Sequence, residues 1–221
     1  MDKTRAVEVE LGALNHCDGS CQWKDGRVSV LVGVYGPMAV LARRDERSDG
    51  AIVQATVGAV SGTPSSAYRE HEQALKGIIE GHALIKALHP RTAVSIVAQV
   101  LSAPSAVPSA VLTATINATC LALLDAGVSL RTLFVAAHSV ISPEGHLIAD
   151  PSPEQERKAR ASFLMVFDSS LDAILHSQAV GSFQVEEFLR AADENKKAAV
   201  LMMDLIRTNL ASSIATSPAY L

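Results

Sequence analysis

The sequence is short of aromatic side chains, of cysteine and of unbroken apolar runs, and each shortage excludes a class of protein. Phe, Trp and Tyr make up 4% of the 221 residues, and Trp23 is the single tryptophan. A surface that stacks single-stranded bases needs several exposed rings, and this chain has few. Cys17, Cys21 and Cys120 are the three cysteines. An odd, sparse set fits reduced thiols in the cytosol or nucleus and not a disulfide framework. No stretch approaches the roughly 18–20 uninterrupted apolar residues of a membrane span, so no membrane contact is expected. The opening Met1-Asp2-Lys3-Thr4-Arg5 has no apolar h-region, and no secretory signal is expected either.

A basic excess is also missing. The net charge is −4, whereas a chain that neutralises many phosphates unaided is usually basic. Any contact with nucleic acid must come from a local patch or from partners. What the chain does have is an apolar fraction of 48%, ordinary for a folded domain and too high for disorder. With no internal repeat or low-complexity break, residues 5–210 read as one domain and 211–221 as a flexible tail.

Alternation over Arg5–Leu11 predicts a half-buried strand. Asp-Gly turns at Cys17–Ser20 and Lys24–Gly26 set off a near-continuous apolar strand, Val28-Ser-Val-Leu-Val-Gly-Val-Tyr35, which stops at Gly36-Pro37. The charged run Arg43–Gly50 leads to a strand over Ile52–Val60. Ser65 or Ser66 can cap a following helix, in which Tyr68, Leu75, Ile78, Ile79, His82, Ile85 and Leu88 share a face. That helix must end before Pro90. Thr92–Leu101 is a β-branched strand, and Val111–Leu124 is a small-residue helix with Gly127 placed as its C-terminal cap.

Arg131–Ile141 is a further strand, followed by a turn at Ser142–Gly145. Phe163–Phe167 and Ala173–Leu175 are short strands. A long helix over 184–210 has Val185, Phe188, Leu189, Ala192, Ala199, Met203, Ile206 and Leu210 as its buried stripe. Strands and helices do not alternate strictly, which favours an α+β fold of mixed β-sheets packed against helices.

Chemical motifs are scarce. Cys17 and Cys21 beside His16 suggest a metal cluster, but a structural zinc needs four ligands and Cys120 falls in a helix read as buried, so ordinary thiols are preferred. No G-x-S-x-G, H-E-x-x-H, G-x-x-x-x-G-K-[ST] or G-x-G-x-x-G occurs. No cofactor is implied. Asp150, Glu154 and Glu156, with His146 a hairpin arm away, could hold Mg²⁺ or supply a general base. Against that, Arg157, Lys158 and Arg160 neutralise the turn locally and make it plain solvated surface. The basic candidates for phosphate contact are Arg43, Arg44, Arg69, Lys76, Lys86 and Arg91, with Glu70 and Glu72 interleaved among them.

The order of segments carries more than any single motif. Asp18-Gly-Ser20, Gly26 and the Val28–Pro37 run, then His89-Pro-Arg-Thr92, Ile116-Asn-Ala118 with Ala122-Leu-Leu-Asp-Ala-Gly127, then Ile148-Ala-Asp-Pro151 with Glu154-Gln-Glu156, and the long C-terminal helix follow one another as in RNase PH-like proteins. The resemblance covers roughly residues 5–210. It is nearest to the shorter RNase PH-like subunits of the six-membered ring of the eukaryotic RNA exosome.

That resemblance implies two mixed sheets with packed helices and pairing with other RNase PH-like ring subunits. It also implies RNA threaded through the ring channel, cap subunits, an associated nuclease, and a nuclear, nucleolar and cytoplasmic location. Active members carry a phosphate-binding Gly-Ser/Thr-Arg stretch where this chain has Ala110-Val111-Leu112. They also carry two aspartates where it has Arg160 and Ser162. Leucine lacks the guanidinium fork that grips phosphate, and an arginine cannot act as a general acid near neutral pH. A non-catalytic subunit is therefore expected, with Arg69, Lys76 and Arg91 as RNA contacts and no catalytic residue. A homodimeric, metal-dependent nuclease using Asp150, Glu154 and Glu156 is the alternative.

Overall fold

A computed structural model describes residues 7–26, 28–40, 46–59, 66–103, 108–170 and 173–216. Arg43, Arg44, Ser65 and the end of the expected tail, 217–221, lie outside them. The chain divides into two compact units, Met1–Phe134 and Val135–Leu221, where the sequence was read as one domain over 5–210.

The first unit is built on strands β1 (Val7–Leu11), β2 (Gly19–Asp25), β3 (Val28–Ala39), β4 (Ile52–Ala59) and β5 (Thr92–Ser102). They form one sheet in the order β1-β2-β3-β5-β4. The Asp-Gly turn at Asp25-Gly26, with Gly26 at φ 60°, lets β2 and β3 pair antiparallel. β3 does not stop at Gly36-Pro37 as read from the sequence. It shifts register between Tyr35 and Met38 and keeps pairing with β5 as far as Ala39. β4 runs parallel to β5, which requires a crossover, and α1 (Ser66–Ile78) provides it.

α1 is shorter than its apolar periodicity suggests. After Ile78 the chain makes one wide turn over Ile79–Ala83, and Leu84 is extended, so His82, Ile85 and Leu88 do not continue the helix. Leu88 is accordingly exposed. α2 (Pro108–Asp125) packs on β2 and β3. It has the length and apolar content of a membrane span, but Val111, Leu112 and most residues after them are buried against the sheet, as in a core helix of a globular fold. Its end is the expected glycine cap. Gly127 takes φ 65°, its N–H reaches Leu124 O, and the N–H of Val128 reaches Leu123 O, the paired bonds of a Schellman motif.

The second unit holds β6 (Phe134–Ile141), β7 (Leu147–Ala149), β8 (Ala161–Asp168) and β9 (Ile174–Gly181) in the order β7-β6-β8-β9. A short helix, α3 (Pro153–Lys158), starts with a capping box between Ser152 and Gln155. α4 (Val185–Thr216) runs past the expected end at Leu210. Its buried line is Ala191, Asn195, Ala199, Met203 and Ile206. Val185 and Leu189, read as part of that stripe, stand 75% and 58% exposed. Two sheets with segregated helices make the fold α+β, as expected.

Candidate functional site

In the first unit, Val111 and Leu112, the positions that the resemblance sets against the phosphate-binding stretch of active members, lie inside α2. Leu112 is 2% exposed and Val111 is also buried. The hydroxyls nearby are committed to the helix: Thr113 Oγ1 donates to Ser109 O at 2.8 Å and Thr115 Oγ1 to Val111 O at 2.7 Å. A buried aliphatic side chain in this turn offers an anion neither charge nor a donor.

The basic candidates separate. Arg69 is exposed on α1 and makes no ion pair among the described residues. Lys76, two turns on, is likewise exposed and without an ion pair. Arg91 adopts φ 61°, a left-handed backbone held by its N–H bond to Arg47 O at 3.0 Å, and its Nε lies 3.5 Å from Glu46 Oε1. Arg47, which the sequence reading did not single out within its charged run, pairs with Glu80 at 2.8 Å. Glu46, Arg47 and Lys76 line one cleft of about 550 Å³ beside Ile52–Ala55 of β4. Lys86 instead uses its carbonyl to accept Ala51 N–H.

In the second unit, Arg160 is a structural strut. Its N–H donates to Ile141 O at 2.8 Å and its carbonyl accepts Ser182 N–H at 3.3 Å. Its guanidinium pairs with Glu187 Oε1, while Glu187 Oε2 accepts Gln184 N–H at 2.9 Å and so caps α4. The Gln184 N–H first, and Arg160 second, hold the Glu187 carboxyl below its usual range. Ser162 sits on β8 opposite Val180 of β9.

The acidic turn does not converge. Asp150 is exposed at φ 51°, Glu154 faces solvent, and His146 lies out by Glu144 at 3.9 Å. Glu156 turns inward instead, with Oε1 3.7 Å from His138 Nε2; both side chains are almost fully buried. His138, on β6, was missed because a lone histidine in an apolar strand carries no sequence signal of its partner. Among the described residues no group of three or more His, Cys, Asp or Glu is arranged for a metal ion. Cys21 and Cys120 are buried, and burial pushes each thiol up to about 12.

Two models of the 3′ exoribonuclease family match the chain, domain 1 (RNase PH) over residues 3–129 and domain 2 (RNase PH, C-terminal) over residues 134–198. The chain is 29% identical over 174 residues to an Arabidopsis thaliana protein named exosome complex exonuclease RRP46 homolog, covering 79% of this chain and 70% of that one. It is 29% identical to the exosome complex component Rrp41 of Thermococcus onnurineus, over 85% of this chain and 76% of that one. Among solved structures, rice Rrp46 superposes with a TM-score of 0.85 at 26% identity, covering 94% of this chain and 95% of that one. A chain of the Archaeoglobus fulgidus exosome with RNA bound to the active site superposes at 0.72 with 20% identity, over 90% of this chain and 87% of that one, a likeness of fold alone.

Proposed function

The chain belongs to the 3′ exoribonuclease family of RNase PH-like proteins, and from that premise we propose that it is a non-catalytic subunit of an exosome ring. It would complete the ring with other RNase PH-like subunits and help line the channel that delivers RNA 3′ ends to a nuclease elsewhere in the assembly. The observation that carries this reading is Arg160. Where active members place an acid, this chain has a cation already engaged by Glu187 at the start of α4. The burial of Leu112, where a phosphate-gripping arginine is expected, supports the same conclusion.

RNA contact falls to Arg69 and Lys76, which are exposed and have no ion-pair partner among the described residues. Arg91 must first release Glu46 to reach a phosphate. The compartments that go with this role are the nucleus, nucleolus and cytoplasm. The dispersed acidic turn disfavours the metal-dependent nuclease reading, since Glu156 faces His138 while Glu154 faces solvent.

Native mass spectrometry of the purified chain mixed with other RNase PH-like exosome subunits tests the assignment. Uptake into a six-membered ring is expected, with RNA crosslinking in that ring reduced by Arg69→Glu. A chain that stays a monomer or homodimer in the presence of those subunits would overturn it.

A further inference from the structure

Among the described residues β9 is an edge strand of its sheet, which runs β7-β6-β8-β9. Its pairing with β8 is in register from His176 to Gly181. Just past the strand, and in that same register, the N–H of Ser182 donates to Arg160 O at 3.3 Å. Residues two apart direct their N–H and C=O groups to the same side. Val180 and Gln178 therefore address β8 with Ser182, while Ser177 and Ala179 direct their groups outward. Both of these outward residues are exposed. Val180, between Ala179 and the end of the strand, is 59% exposed, and Ile174 at its start is 47% exposed.

The devices that keep an exposed edge from pairing are missing. Ile174–Gly181 reads Ile-Leu-His-Ser-Gln-Ala-Val-Gly, with no Lys, Arg, Asp, Glu or Pro. Burial lowers the pKa of His176 from the usual 6.5, so the strand is uncharged at neutral pH. The strand offers no cation to a polyanion and no counterion to a charged peptide. Ser177 and Ala179 are small, which lets another backbone approach. On their face Phe183, 37% exposed, packs edge-on against Phe163, the residue opposite Ala179.

The complement of this edge is an extended, uncharged strand with small residues at its outward positions, and β9 itself meets that description. Antiparallel pairing about a two-fold axis at Gln178 sets Ser177 against Ala179 of a second copy, so the two outward-directed residues exchange both backbone bonds. Gln178 then faces Gln178 of the second copy, and each side-chain amide has a donor and an acceptor for the other. We propose that β9 is a self-association edge, on which a second copy of this chain adds its own β9 and joins the two sheets into one. The proposal goes beyond the ring reading and does not rest on it, since the isolated chain suffices to test it.

Sedimentation velocity of the full chain over a dilution series reads the association. A reversible monomer–dimer equilibrium is expected. Ala179→Pro removes an outward N–H at an edge position where proline is tolerated, and should weaken the dimer about tenfold. Gln178→Lys and Gln178→Glu each set like charges directly opposite at the axis and should weaken it about fivefold, whereas mixing the two variants should restore pairing. Circular dichroism checks that each variant keeps its fold, and the two charge variants decide the matter if Ala179→Pro does not. A chain that stays monomeric up to its solubility limit would overturn the proposal. So would a dimer that folded Ala179→Pro leaves intact, or charge variants whose mixture pairs no better than either one alone.

Discussion

The carboxylate of Asp125 accepts the backbone N–H of Ser20 at 2.9 Å, tying the end of α2 to β2 across 105 positions of sequence. The two motifs of the family resemblance, Asp18-Gly-Ser20 and Ala122-Leu-Leu-Asp-Ala-Gly127, meet here. Asp18 serves the other side of the hairpin, accepting Gly36 N–H at 2.7 Å. Ser20 is buried, so its N–H has no water to replace Asp125. Asp125→Ala should lower the unfolding free energy by about 1–3 kcal/mol, as expected for losing a charged partner of a buried donor. Urea denaturation measures it.

Gly19 tests how closely α2 approaches β2. A Cβ there would lie 2.2 Å from Ala126 N and 2.5 Å from Ala122 O, both backbone atoms that cannot swing aside. Gly19→Ala should therefore destabilise by about 1–3 kcal/mol or more, the range of overpacked cores. A melting temperature equal to that of the unmodified protein would refute this packing.

His71 gives a pH dependence. Its ring is 5% exposed, makes an edge contact with Tyr68 at 6.0 Å, and its Nδ1 has no hydrogen-bond partner among the described residues. Burial lowers its pKa from the usual 6.5. The unfolded chain then binds a proton that the folded chain resists. The contribution is therefore intact above pH 6.5 and is lost as pH falls below it, with a slope of at most about 1.4 kcal/mol per pH unit. Comparing denaturation midpoints of the unmodified chain and His71→Leu between pH 5 and 8 isolates this effect; parallel curves would refute it.

The three cysteines should differ in reactivity. Cys21 and Cys120 are buried with thiol pKa values of about 12, whereas Cys17 is half-buried beside Leu14 O. Alkylation of the folded protein at pH 8 should modify Cys17 and leave the other two until denaturant is added. Peptide mapping reads the outcome directly.

Arg160→Asp gives the charge sign that the family resemblance implies for active members, yet it removes the strut at the start of α4 and sets a carboxylate against Glu187. It should lower the melting temperature without creating phosphorolysis, because Leu112 stays buried in α2. Adding Glu187→Arg to the same chain should recover part of the lost stability. A gain of phosphate-dependent activity from Arg160→Asp alone would show that the strut conceals an intact site.

Most strands and turns were legible because alternation and Asp-Gly or Ser-Pro-Glu-Gly turns are local signals, but β2 and β7 were not named and β9 was read as Ala173–Leu175 where it runs Ile174–Gly181. The cap at Gly127 was legible for the same reason. α1 was read too long, since periodicity carries through Ile79 and His82 even though the backbone opens into a wide turn there. Val185 and Leu189 fit the helical period but lie on the flank of α4. Asn195, wholly buried in the true stripe, was passed over because it is polar. The inward turn of Glu156 to His138 depends on pairing between distant segments, which no local spacing reports.

The most direct test of the non-catalytic reading is a degradation assay on the purified chain. Single-stranded RNA would be incubated with inorganic phosphate and Mg²⁺, and nucleoside diphosphates quantified by chromatography. The account predicts none above a no-protein control. Phosphate-dependent release of nucleoside diphosphates with shortening from the 3′ end would contradict it, and would place a working phosphate site outside Leu112 and Arg160.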